Sequence, residues 1–291
     1  MDVDHYYKIG DSHDECQDYA LTRIWDNGLA FACVADGCSS SHKRCRSVDV
    51  GARVLAMSAE NVLQGLTRNV ENGVGYIYDT FFHRGNQSSL GDLINLLAKS
   101  NLESMMSPEY VEYALDSTLI VTLADEKDAL VFMFGDGIVS IETESGIKNR
   151  EIVYGDNTPY YMAYLHDKGR NDSYKAMNNM VRIVDLDEPD RPIEMGVNAL
   201  QPGERTGEYH RFTSFYAPNY KRVSIMSDGF SSFQDSDGNS INAGVTVNQA
   251  TEFKNTAGVF VQRRIKMMLK KNERQGIGHY DDLSIASIIK E

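Results

Sequence analysis

The chain is 291 residues long and carries 29 Lys and Arg against 42 Asp and Glu, a formal net charge of −13 at pH 7. That length allows one large domain or two small ones, and the acidic balance argues against a general nucleic-acid or anionic-membrane binder, which needs clustered cations. With 42% hydrophobic residues and no run near the roughly 18 apolar residues of a membrane span, the composition is that of a globular protein and excludes a transmembrane one.

The first sixteen residues are acidic and polar where a signal peptide is basic and then apolar, so the expected location is the cytoplasm. Four cysteines, Cys16, Cys33, Cys38 and Cys45, fall in the first 45 residues without Cys-x-x-Cys spacing. They read as free thiols, in preference to a zinc site built from Cys38, His42 and Cys45. The apolar run 29–35, with Phe31 and Val34, stops at Asp36-Gly37 as a buried strand ending in a tight turn does. Val48, Ala52, Leu55, Ala59, Val62 and Leu66 then recur at helical spacing. Leu90, Leu93, Ile94, Leu97 and Leu102 repeat it, with Ser88 or Ser89 as the cap, so two helices are expected after the first strand.

From Ser117 the period falls to that of strands: 119–123, 129–134 and 138–142, separated by short polar turns. Further strands are expected at 180–186 and 222–227, a helix at 257–269 with Val261, Ile265 and Met268 inward, and a last strand at 283–289. Between 155 and 219 four of the six prolines and the run Tyr154, Tyr160, Tyr161, Tyr164 break the periodicity. That segment reads as an irregular insertion, with the tyrosines either a substrate flap or plain aromatic packing. No repeat or low-complexity tail marks a second domain, so the expectation is one α/β (α+β) domain over 1–291 with an insertion at 155–219.

Three apolar strands end in one dipeptide: Asp36-Gly37, Asp136-Gly137 and Asp228-Gly229. Asp281-Asp282 sits immediately before the last strand. Asp-Gly is a common turn dipeptide, but three after apolar strands point to carboxylates held on rigid ends that converge. Several carboxylates in a small volume repel one another unless cations join them. Oxygen ligands without His or Cys pairs favour magnesium or manganese over zinc, and two such ions suit attack on phosphorus. The run 235–239 reads as a surface turn rather than a calcium loop, since its glycine is misplaced.

Gln17-Asp18, Val34-Ala35-Asp36-Gly37, Ser117-Thr118 leading to Gly135-Asp136-Gly137, Ser227-Asp228-Gly229 and Asp281-Asp282-Leu283-Ser284 together resemble the ordered motifs of the metal-dependent type 2C protein serine/threonine phosphatases. Ser12-His13 and Cys16-Gln17-Asp18 look most like the bacterial and phage-type branch. The resemblance covers about residues 10–289. It implies a four-layer sandwich, two antiparallel β-sheets packed face to face with helices on both outer sides and the metals at one edge. By motif position Asp36 would bridge two Mn2+ or Mg2+ ions, which would also share a nucleophilic hydroxide, Gly37 would offer its carbonyl, Asp228 and Asp281 would ligate one ion, and Asp136 would serve a third, weaker ion. Asp18 would support the site through bound water.

Two positions depart from the family pattern. His13 replaces the arginine that usually grips the substrate phosphate, and Cys38 replaces the histidine proposed in the eukaryotic branch to protonate the leaving group. That proton would then come from His13, His42 or metal-bound water. The implied activity is hydrolysis of phosphoserine and phosphothreonine in a phosphorylated protein substrate. The alternative is a catalytically weak relative that binds phosphopeptides or a partner.

Overall fold

The computed structural model describes residues 1–38, 48–83, 87–165, 167–177, 181–188, 193–194, 204–206 and 212–290. His42 and Cys45 of the zinc alternative lie outside the described residues, as do most residues of 189–211. Two antiparallel sheets dominate. The seven-stranded sheet runs β1 (Asp2–Lys8), β15 (Leu283–Ile289), β12 (Arg222–Met226), β6 (Gly137–Thr143), β7 (Gly146–Tyr154), β8 (Val181–Asp185), β9 (Ile193–Glu194). The six-stranded sheet runs β10 (Glu204–Thr206), β11 (Phe212–Pro218), β5 (Asp128–Phe134), β4 (Ser117–Ala124), β3 (Ala30–Gly37), β2 (Tyr19–Ile24). A third sheet is only β13 (Phe233–Gln234) with β14 (Gly278–His279).

Strand β3 explains why its sequence is apolar without alternation. Its odd positions Phe31, Cys33 and Ala35 pack under helices, while Ala30, Ala32 and Val34 face the other sheet. A strand covered on both faces has no polar side. The same division orders the whole molecule into three apolar seams. One lies between the sheets, where Val34, Ile120, Val131 and Met133 meet Val139, Ile152, Ile225 and Ile288. A second joins the six-stranded sheet to α1 (Val48–Thr67), α2 (Gly73–Ile77), α3 (Gln87–Glu103) and α4 (Pro108–Ala114). The third packs Ile138, Met226 and Ile285 beneath α6 (Ala243–Thr251) and α7 (Phe260–Arg274). This is the expected four-layer sandwich of two antiparallel sheets between helices.

Several elements differ from the expectation. More than two helices follow the first strand: α2, α4 and a π-helical turn at Tyr78–His83 join α1 and α3. Each is too short to show a periodic stripe. Helix α3 already begins at Gln87, which places Ser88 and Ser89 inside its first turn rather than at a cap. The segment 155–219 is not wholly irregular, because it supplies α5 (Lys168–Met177), adds β8 and β9 to one sheet and adds β11 and β10 to the other. Strand β11 pairs with the full length of β5, from Phe212 opposite Phe134 to Pro218 opposite Asp128. The tyrosines pack: the ring of Tyr160 meets Tyr164 at 5.3 Å and Tyr174 at 5.1 Å, edge to face.

Candidate active site

The strand registers bring the carboxylates to one end of the sandwich. In the six-stranded sheet Asp36 is opposite Thr118, Leu119 is opposite Phe134 and Tyr19 is opposite Ala35, so Asp18, Asp36 and the 135–136 turn share an end. That turn crosses to the other sheet. There Ile138 and Ile285 both pair with Met226, which sets Asp136, Asp228 and the residues before β15 side by side. Gly37 stays in β3, paired with Ser117. Asp228 opens a 3-10 turn, Asp228–Ser231.

Glycine is required at two of these turns for stated reasons. Gly135 has φ +91, and a Cβ there would lie 2.7 Å from Thr118 Cγ2; an L side chain meets both backbone strain and a clash. At Gly229 the obstacle is the facing chain, since a Cβ would stand 1.8 Å from the carbonyl oxygen of Asp282. The Asp228 turn and the Asp281-Asp282 turn are thus in backbone contact.

The electrostatics follow from burial and crowding. Burial, then the charges of Asp18 and Asp228, hold the Asp36 carboxyl well above the usual carboxylate range. Asp136 is raised in the same way by burial first, then by Asp228, with further contributions from Glu151 and Asp281. Burial also raises Asp18, opposed by the nearby polar groups of Ser284, Asp36 and Ser227; neither of its buried oxygens has an aligned hydrogen-bond partner. The partly exposed Asp281 is raised by burial and by Asp228. Carboxyls so disposed bind protons or cations more readily than free ones.

These residues fit hard divalent cations in donor chemistry: oxygen ligands, buried, mutually repelling, with the two Asp18 oxygens unpartnered. Their side chains are not drawn into a finished cage, since among the described residues no three His, Cys, Asp or Glu groups are set to hold one ion. A cation arriving there would have to gather them.

Around the carboxylates the loop 10–17 is laced to the 279–282 turn. Asp11 N donates to His279 O at 3.2 Å and Ser12 N to Tyr280 O at 3.1 Å. Asp282 is the brace: Oδ1 accepts from Gly10 N at 2.7 Å and Oδ2 from Gln17 N at 2.5 Å. His13 sits against this turn, Nδ1 3.1 Å from Asp282 Oδ1 and Nε2 3.6 Å from Asp281 Oδ1. The Nδ1 contact lacks hydrogen-bond alignment. Behind the turn, Lys8 Nζ lies 2.9 Å from His279 Nε2, and His279 Nδ1 lies 3.0 Å from Asp281 O. A lysine ammonium only donates, so Nε2 accepts and Nδ1 carries the proton given to the carbonyl.

Sequence reasoning grouped Asp18, Asp36, Asp136, Asp228 and Asp281, missed Glu151, and named Asp282 and Tyr161 without placing them beside the carboxylates. Asp282 appeared only as half of the Asp281-Asp282 dipeptide, and its burial separates it from Asp281. Glu151 accepts from Ser231 Oγ at 2.5 Å, with its carboxyl raised by burial and Asp228; an acid inside the strand Arg-Glu-Ile-Val-Tyr was its signal. The Tyr161 hydroxyl stands against the Cys38 thiol, its proton held tightly by burial, by Cys38 and by the charges of Asp136 and Asp36. Cys16, whose thiol burial and the charges of Asp282 and Asp18 push up to about 12, stays protonated and is a poor nucleophile.

The protein phosphatase 2C profile matches residues 9–270. No curated protein matches the chain. Among solved structures, a bacterial serine phosphatase superposes with a TM-score of 0.53 at 13% identity, covering 100% of this chain and 98% of that one. The serine/threonine phosphatase Stp1 from Staphylococcus aureus gives 0.52 at 14% identity, covering 100% and 96%. The serine-threonine phosphatase 2C from Toxoplasma gondii gives 0.51 at 14%, covering 99% and 94%. At these identities the likeness is one of fold, and the profile carries the assignment: the chain belongs to the protein phosphatase 2C family.

Proposed function

We propose that the protein is a metal-dependent phosphatase that hydrolyses phosphoserine and phosphothreonine in protein substrates by direct attack of water, without a covalent phosphoenzyme. The observation that supports this reading is the convergence of Asp18, Asp36, Asp136, Asp228 and Asp281 at one end of the sandwich, where the charge of Asp228 adds to burial in raising Asp36, Asp136 and Asp281. Asp36, the Gly37 carbonyl, Asp228 and Asp281 would hold two Mn2+ or Mg2+ ions, and Asp136 a third, weaker one. When bound, these ions supply charge neutralisation for the phosphate and a more acidic water.

The chain's own residues do the rest. Asp18, buried with both oxygens open, accepts a proton from the attacking water as its oxygen forms the new bond to phosphorus. His13 orients the phosphate and gives a proton to the seryl or threonyl oxygen as the old P–O bond breaks. One proton taken and one given leave the protein's net charge unchanged, and exchange with solvent returns the proton from Asp18 and restores the one on His13 before the next turnover. Hydrolysis of an aryl phosphate and of a phosphoserine peptide with Mn2+, against a chelator control, tests the reading. Turnover only with metal, and one oxygen from labelled water in each phosphate released, is the expected result. Metal and phosphopeptide binding with no turnover would instead make the protein a binding module.

A further inference from the structure

The far end of the seven-stranded sheet holds a cavity of about 880 Å³ that the carboxylate site does not use. Arg222 begins β12, and six residues at about 3.3 Å each set it roughly 20 Å from Asp228. Tyr220, Lys221, Arg222, Phe253 and Lys290 line this cavity, with Glu142 at its wall. The Arg222 side chain is only 8% exposed. Its Nη1 donates to the carbonyl of Thr251, and its guanidinium carbon lies 5.8 Å from the centre of the Phe253 ring. Its Nε and Nη2 have no aligned hydrogen-bond partner; Glu142 Oε2 is 3.2 Å from Nη2 but off its axis.

Nε and Nη2 form the edge of a guanidinium that grips a carboxylate through two parallel bonds. A buried cation whose edge meets Glu142 only off axis costs free energy that a well-aligned planar anion, displacing Glu142, returns. Lys221 and Lys290 add positive charge at the rim, and the lysine–glutamate pair there, Lys221 Nζ to Glu144 Oε1 at 3.0 Å, is exposed and weak. The volume far exceeds one inorganic ion, and the Tyr220 and Phe253 walls suit apolar atoms next to the charge.

We propose that this cavity is a second binding site, which takes a short acidic peptide segment by seating an Asp or Glu carboxylate on the Nε and Nη2 edge of Arg222 in place of Glu142, and an adjacent apolar side chain against Phe253. Glu142 is then the internal competitor for that edge.

The test follows the Arg222 Nε–H resonance by NMR, identified by its loss in Arg222→Lys, during titration with N-acetyl-aspartyl-phenylalaninamide. The neutral isostere N-acetyl-asparaginyl-phenylalaninamide is the control. A saturable shift with the acid, and binding about tenfold weaker or absent with the amide, is expected. Glu142→Gln should tighten binding several-fold by removing the competitor, and Thr256→Trp, at a residue that also lines the cavity, should abolish it by filling the space. If Arg222→Lys does not fold, calorimetry on the other two variants decides the matter. Equal binding of acid and amide, no saturable binding, or Glu142→Gln without tightening overturns the proposal.

Discussion

Asp282 is 2% exposed and takes backbone N–H groups from Gly10 and Gln17, whereas the adjacent Asp281 side chain is 45% exposed and faces His13 and the other carboxylates. Sequence places the two side by side with one side chain; burial gives one to the loop and the other to the cluster. Asp36 is the residue whose loss is expected to matter most. Asp36→Asn should lower turnover at least about 100-fold and weaken Mn2+ binding in calorimetry, with the fold retained, because a neutral amide replaces an anionic ligand. Wild-type turnover in that variant would sink the two-ion reading. His13→Ala should slow alkyl phosphates more than aryl phosphates, since a phenolate leaves without a proton and an alkoxide does not. Equal slowing of both, with only KM changed, would reduce His13 to a binding residue.

Among elements, the strands most plainly legible to sequence reasoning are those buried along nearly their whole length: β3, β4, β5 and β15 are apolar runs bounded by Asp, Gly or Ser, and it also located β6, β8 and β12. It did not find β1 or β7, whose Asp, His, Lys, Arg and Glu residues hide the pairing that holds them. Strand β1 survives as an edge because β15 pairs with its whole length, Asp2 opposite Ile289 to Lys8 opposite Leu283. The site was legible where a carboxylate ended an apolar run. It was not where the partner came from a distant polar segment, as with Glu151, or where burial alone separated two aspartates.

Edge strands β1 and β2 also face one another across the sandwich, with His5 Nδ1 2.9 Å from Thr22 Oγ1 and the Tyr7 and Tyr19 rings 5.4 Å apart. Burial lowers the His5 pKa from its ordinary 6.5, against a smaller opposing effect of Asp4. The folded state therefore prefers neutral His5, so its contribution is full above the unfolded value and is lost as pH falls through the folded one. Thermal melts should show a drop in Tm from about pH 7.5 to about pH 5.5 that is shallower in His5→Gln; an unchanged slope would remove His5 from the acid response. Gly229→Ala tests the contact between the Asp228 and Asp281-Asp282 turns. The added methyl must push the Asp282 carbonyl away, for a loss of about 1–3 kcal/mol and weaker Mn2+ binding. A variant as stable as the parent would show that the turns slide apart freely.

At the scale of the whole molecule, cation binding and folding are linked. The crowded carboxyls repel in the folded chain and are dispersed in the unfolded one, so an ion that joins them stabilises only the folded state, by about 2.7 kcal/mol at a hundred times its Kd. Calorimetric scans should show Mn2+ raising Tm by several degrees in the parent and far less in Asp36→Asn. An equal rise in both would mean that the ion binds elsewhere.

The pairing of β1 with β15 has a consequence for how the chain is made. The six-stranded sheet draws on residues 19 to 218, so its hairpins can assemble while synthesis continues. The seven-stranded sheet cannot close until residues 283–289 leave the ribosome, because β15 lies between β1 and β12. Until then β1 waits without its sheet partner, a contact of very high sequence separation and a slow step. Asp281 and Asp282 arrive with that last strand. A nascent chain therefore carries Asp18 and Asp36, and later Asp136 and then Asp228, before it has the turn that braces His13 against them, and the carboxylate-bearing end of the molecule is completed only when that strand arrives.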